Sequence, residues 1–95
     1  MGELDANILA PARLRLMTML TAVSEAEFST LRESLGVSDS VLSKHVSALA
    51  AVRYVSSRKG VHHGRRTTWI ALTADGRKAL SAHVAQLREL IAGVE

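Results

Sequence analysis

Four histidines, His45, His62, His63 and His83, are the side chains of this 95-residue chain best suited to acid–base or metal chemistry, and their spacing supports neither. His62 and His63 are adjacent. His83 has Gln86 and Leu87 one helical turn further on, where a metal site would want an acid or a second imidazole. With no cysteine in the chain, thiolate ligation, a disulfide framework and a cysteine redox switch are excluded. Ser43 and His45 are two residues apart and on a helix would face different directions; there is no glycine-rich phosphate loop, and no set of acids converges. No metal, no cofactor and no enzymatic activity are therefore expected.

The remaining chemistry is electrostatic. The net charge is only +3, but it is unevenly spread. Residues 1–52 carry four basic residues against six acids, whereas residues 53–78 carry seven basic residues against Asp75 alone. Such a cluster is either a solvated face or the place where a polyanion is met. Nothing in the chain suggests insertion into a membrane: Met1–Asp5 is acidic, with no basic region ahead of an apolar run, and no apolar stretch approaches spanning length. A cytoplasmic location is expected. The length is that of one domain, residues 1–95, near the lower end of comfortable stability, so burial in a dimer would help.

The elements that must position these charges follow from periodicity. From Val37 to Leu49, the residues Leu42, Val46 and Leu49 share one helical face, while Ser40, Ser43, Lys44 and Ser47 fall on the other. Short hydroxyls and a single lysine are an unusual outer face, since solubility alone favours Glu, Lys, Gln and Arg. They allow close approach to another surface; an ordinary amphipathic helix with a Ser-rich face fits these residues equally well. Upstream, Leu31 and Leu35 stand one turn apart in Phe28–Leu35, and Gly36 is placed to end that helix in a left-handed conformation. Ser38 is a good N-cap for the next helix, so two helices are joined by about three residues, as in a helix-turn-helix. Downstream, the β-rich runs Tyr54–Lys59 and Arg66–Leu72 flank Gly60–Gly64, which reads as a hairpin with a long basic tip.

A helix-turn-helix followed by a basic hairpin is a winged helix, and the chain from about Pro11 to Leu80 resembles the small winged-helix transcription regulators of the MarR/ArsR type. The resemblance rests on Phe28-x-x-Leu31-x-x-x-Leu35-Gly36, on Leu42-Ser43-Lys44-His45-Val46-x-x-Leu49, on Tyr54-Val55, and on Trp69-x-x-Leu72-Thr73-x-x-Gly76-Arg77. It implies a mainly α fold with a small β-wing (α+β), and a sequence-specific regulator, with repression the expected sign, that binds double-stranded DNA at an inverted repeat as a homodimer. In that role the candidate contacts are Ser38, Ser40, Ser43, Lys44, His45 and Ser47 on the helix, and Arg58, Lys59, His62, His63, Arg65 and Arg66 on the wing. Lys44 is the best candidate for a guanine contact. Ser43 and His45, by the family's Ser-x-His pattern, position the backbone or pack beside it. Regulators of the MarR type lodge small molecules between dimer helices and winged core, so a small-molecule effector is a further implied partner. The alternative reading is a winged-helix module for protein interaction or assembly, with weak or no specific DNA binding.

The rest of the chain supplies supports. Leu4–Ala10 is expected to be a short helix with Leu4 and Ile8 on one face. Pro11 then opens a helix running to about residue 22 on Leu14, Met17, Leu20 and Val23. Ser24-x-x-Glu27 matches a capping box, but Ser29 is also a good N-cap; the resemblance favours the later start, with Phe28 in a short strand that completes the wing sheet. Where the family has Gly before the aromatic–Val pair, this chain has Arg53, for which positive φ would cost about 1 kcal/mol, so the helix is expected to run on by a residue or end differently. Thr73 caps the last helix, residues 74–92. On it Leu80, Val84, Leu87, Ile91 and Val94 form a coiled-coil-like seam, which with Leu4 and Ile8 is the expected dimer interface.

Overall fold

Pro11 divides the N-terminal stretch. In the computed structural model, which describes residues 3–94, Leu4–Ala10 forms a turn rather than the expected helix. Asp5 is the reason: its Oδ1 accepts hydrogen bonds from the Asn7 backbone N–H (2.9 Å) and side-chain amide (3.2 Å), a local alternative to helical bonding. Ala10, ahead of the proline ring, is held extended (φ −63°, ψ 129°).

From Pro11 the elements are α1 (Pro11–Leu20), β1 (Ala26–Glu27), α2 (Phe28–Leu35), α3 (Asp39–Ala51), β2 (Val55–His62), β3 (Arg65–Leu72) and α4 (Ala74–Ile91), with a final 3₁₀ turn at Ala92–Val94. The sheet is antiparallel in the order β1-β3-β2, which gives the expected mainly α winged helix-turn-helix. Phe28 begins α2 instead of lying in the strand, and neither Ser24 nor Ser29 caps it: Glu27 occupies the N-cap, and the Ser29 hydroxyl turns back to Glu27 Oε2 (3.0 Å). Gly36 ends α2 at φ 66°, and Ser38 caps α3 by accepting from the Val41 N–H (3.2 Å). The wing strands are longer than expected. Their tip is a two-residue turn, His63 (φ 53°) and Gly64 (φ 76°), with Gly60–His62 already paired in β2.

The core is built from Ile8, Leu16, Met17, Leu20, Leu31, Leu35, Leu42, Val46, Leu49, Val55, Ile70 and Leu80. Two expectations change here. Ile8 is fully buried inside the chain's own core and so is not available to a partner, Leu80 is nearly buried there, and Val23 is exposed where an inward position was expected. His83, one turn beyond Leu80, is also buried, and its Nδ1 accepts a hydrogen bond from the Asp5 N–H (3.0 Å), which ties the N-terminal arm to α4.

Tyr54 joins these parts. Its N–H reaches back to the Leu49 carbonyl (2.9 Å) and closes α3, while its own carbonyl accepts from the Thr73 N–H (3.0 Å); the Thr73 hydroxyl donates to the Arg53 carbonyl (2.6 Å), with the Tyr54 carbonyl its more distant acceptor (3.1 Å). Its phenol donates to Asp5 Oδ2 (2.5 Å). That closure requires Arg53 to take positive φ (63°) after all. The carboxyl of Asp5 is raised by burial, but the hydrogen bonds from Tyr54 and Asn7 outweigh this and hold it below the usual aspartate range; the same bond to Asp5, then burial, pushes the Tyr54 phenol up. Gly76 lies against this junction, since a Cβ there would come within 2.1 Å of the Tyr54 carbonyl oxygen. Gly76→Ala is accordingly expected to cost about 3 kcal/mol of unfolding free energy in urea titration, whereas Arg53→Gly, which relieves the left-handed strain, is expected to gain about 1 kcal/mol.

Candidate nucleic-acid interface

Burial of Leu42, Val46 and Leu49 fixes the rotation of α3 and leaves Ser40, Ser43, Lys44 and Ser47 exposed along its outer side. Ser38 is less free than its exposure suggests, because its Oγ serves the cap and lies 3.2 Å from the Ser40 Oγ. Val41, which the sequence reading passed over, is 39% exposed in the same first turn, an apolar surface beside the serines. His45 sits on the flank of the helix, half-buried, with Nδ1 accepting a hydrogen bond from the Arg13 Nε (3.1 Å). Burial, and then the neighbouring Arg13 charge, lower the His45 pKa from its ordinary 6.5.

The wing cations separate into two sets. Lys59, Arg65 and Arg66 are exposed. Arg58 is committed: its guanidinium grips both carboxylate oxygens of Glu25, with Nε to Oε2 at 2.9 Å, and lies 5.6 Å from the centre of the Trp69 ring. That pairing holds the Glu25 carboxyl below its usual range and raises the Arg58 guanidinium. His62 is oriented similarly, edge-on to Trp69 with ring centroids 5.4 Å apart and 3.5 Å from Glu27 Oε1, while His63 occupies the turn. The antiparallel register places Trp69 opposite Arg58 on one side and Glu27 on the other.

Helix and wing meet across an open cleft of about 550 Å³, bordered on the helical side by Phe28, Ser29, Arg32 and Asp39 and on the wing side by His62, His63, Arg65 and Arg66. On its border Asp39 Oδ1 receives Arg32 Nη1 at 2.7 Å, which neutralises one charge of each sign and raises the Arg32 pKa. Arg13 and Glu25 were not legible in the sequence, because each finds its partner through tertiary contact; Arg32 and Asp39, seven residues apart across the turn, carried a local signal that was not used. No group of three or more metal-binding side chains converges among the described residues.

The arrangement is therefore a helix with a short polar face, beside a β-hairpin with exposed arginines. A family profile described as a winged helix DNA-binding domain matches residues 12–91. The chain belongs to that family. The chain is 29% identical over 83 residues to an uncharacterized protein of Methanocaldococcus jannaschii, covering 87% of this chain and 90% of that one. Among solved structures it is similar to a transcriptional regulator homologue from Pyrococcus horikoshii OT3 (TM-score 0.86, 25% identity, 94% of this chain and 88% of that). It shares its fold with the Mycobacterium tuberculosis transcriptional regulator MosR in complex with DNA (TM-score 0.73, 24% identity), covering 93% of this chain and 62% of that one. A zinc-responsive MarR family member from Lactococcus lactis, ZitR, has the same fold (TM-score 0.67, 19% identity, 99% and 65% covered).

Because His45 is held neutral in this winged helix, the unfolded chain binds its proton more readily than the folded one. The contribution of His45 to stability is complete above its ordinary 6.5 and is lost as pH falls through that value toward the lower folded pKa. NMR titration of the His45 ring is expected to give a midpoint below 6.5, and Arg13→Ala to move it part of the way back.

Proposed function

We propose that this winged helix domain, residues 1–95, is a DNA-binding transcription regulator that reads an inverted repeat as a homodimer. The observation that carries the reading is the exposed Ser40, Ser43, Lys44 and Ser47 face of α3 beside the exposed Arg65 and Arg66 of the wing. A helix of about 10–12 Å diameter fits the major groove of B-DNA, and the hydroxyls are short enough to let its backbone approach base edges. Lys44 supplies the candidate guanine contact, and Val41 offers an apolar contact for a thymine methyl. Lys59, Arg65 and Arg66, with His63 at the tip, meet phosphates; Arg58 and His62 stiffen the wing through Glu25 and Glu27 rather than adding free charge. The reading also agrees with family membership and with the DNA-bound state of MosR, a protein of the same fold.

The homodimer reading rests on the distal part of α4. Val84 and Leu87 are half-buried, whereas Leu90, Ile91 and Val94 are 67%, 51% and 81% exposed, an apolar end left largely uncovered among the described residues. A groove of about 410 Å³ between α1 and α4, lined by Thr18, Thr21, Val84 and Ala85, continues from it. Leu80, though nearly buried, also lines that groove, whereas Leu4 is half-buried and Ile8 is fully buried in the core. No helix among the described residues is long and apolar enough to cross a membrane.

Selection of bound sites from random duplex DNA at about 0.15 M salt is expected to enrich an inverted repeat with half-sites about one helical turn apart. Binding only at low salt, with nothing enriched, would favour the protein-interaction module instead. With the wing variant Arg65→Ala/Arg66→Ala, affinity is expected to fall across all sequences, and the slope of log K against log salt to flatten by roughly 0.9 for each phosphate no longer neutralised.

A further inference from the structure

Two arginines from outside α3 touch it, and they differ in what holds them. Arg32 is met by the Asp39 carboxylate, so its charge is cancelled where it stands. Arg13 is met by the imidazole of His45, a neutral acceptor, through a single hydrogen bond from Nε at 3.1 Å. Among the described residues no carboxylate lies within ion-pair distance of Arg13. Its guanidinium is thus fixed in direction while its charge remains available, and its two Nη nitrogens are spared by the bond to His45. That is a costly arrangement if the role is only structural, since orienting a long side chain and burying an imidazole against a cation both oppose folding. It becomes favourable when an anion completes the fork.

The position of Arg13 selects the anion. His45 and Asp39 are six residues apart on α3, which places them about 120° apart around the helix axis. The Asp39 flank borders the cleft shared with Arg65 and Arg66 of the wing. Arg13 therefore stands on the flank away from the wing. With α3 filling the major groove, base edges face its outer serines, and groups on its flanks meet the groove walls, which are phosphates.

We propose that Arg13 is a phosphate-binding residue of the DNA interface, held by His45 as its positioning residue, and that it clamps the DNA backbone on the side of α3 opposite the wing. The proposal rests on the DNA-binding reading above. Arg13 and His45 lie 32 positions apart, on different helices, and the pair couples α1 to the recognition helix. The clamp needs no base sequence, so it strengthens binding and fixes the register of the helix without itself specifying an operator.

The test uses the full chain and a duplex of random sequence about three helical turns long, with affinity measured across a salt series for Arg13→Gln, His45→Asn, His45→Leu and the double variant Arg13→Gln/His45→Leu. Arg13→Gln is expected to weaken binding about tenfold at low salt and to flatten the salt slope by roughly 0.9. His45→Leu should reproduce most of that loss, the double variant should lose no more than Arg13→Gln alone, and His45→Asn, whose Oδ1 can replace the Nδ1 acceptor, should restore binding. Thermal unfolding of each variant identifies those that remain folded, and the slope change in folded protein decides. An unchanged slope for folded Arg13→Gln, while Arg65→Ala/Arg66→Ala still flattens it, overturns the clamp and leaves DNA binding intact. If the wing variant is also without effect, the DNA-binding reading itself fails. Additive losses in the double variant would overturn the positioning role of His45.

Discussion

The backbone of Tyr54 is the constraint on which the rest of this winged helix depends. Its N–H ends α3 on Leu49 and its carbonyl receives the Thr73 N–H, while the Thr73 hydroxyl reaches the adjoining Arg53 carbonyl, so the entry and exit of the wing are pinned together. Thr73 at the same time caps α4 by accepting from the Gly76 N–H (2.9 Å), and Gly76 alone among residue types leaves room for the Tyr54 carbonyl. One peptide unit thereby sets the relation between the helix that would enter a groove, the hairpin beside it and the terminal helix. Arg53 takes a strained left-handed conformation because the alternative is to abandon these bonds, and about 1 kcal/mol of strain is small beside several of them.

Electrostatically, the fold removes charge as much as it presents it. Glu25 takes up Arg58, Asp39 takes up Arg32, and Glu27 approaches His62. These pairs are exposed enough to add little to stability, yet they orient long side chains and keep the net potential of the cleft from being merely the sum of its arginines. Among the cations outside these pairs, Lys59, Arg65 and Arg66 lie on the wing, Lys44 on the outer face of α3, and Arg13 on the far flank. Under the proposed reading this surface would have free charge at its edges and short polar groups at its centre, matching the division between phosphate and base contacts.

The N-terminal arm has a similar economy. Residues 4–8 make no regular element, but Ile8 fills the core, the Asp5 N–H satisfies the buried His83, and the Asp5 carboxylate receives Tyr54. Otherwise costly buried or half-buried groups are thus satisfied by one short segment. This is why Ile8, expected at a dimer surface, is consumed within the chain.

Much of the fold was legible in the sequence, because it depends on local rules. The period of Leu42, Val46 and Leu49, the glycine at position 36, the caps Ser38 and Thr73, and the β-rich runs around the wing each act within a few residues, and together they determined the elements, their order and the outward face of α3. Where local rules competed, the sequence reading went astray: Asp5 diverted a helical pattern into a turn, and Arg53 kept a conformation its own side chain disfavours. Tertiary structure alone decided which cations are free and which are held, since Glu25 and Arg58 are 33 positions apart and Arg13 and His45 32 apart. Sequence periodicity assigns a side chain to a face of its own element, whereas its electrostatic fate depends on which other element packs beside that face.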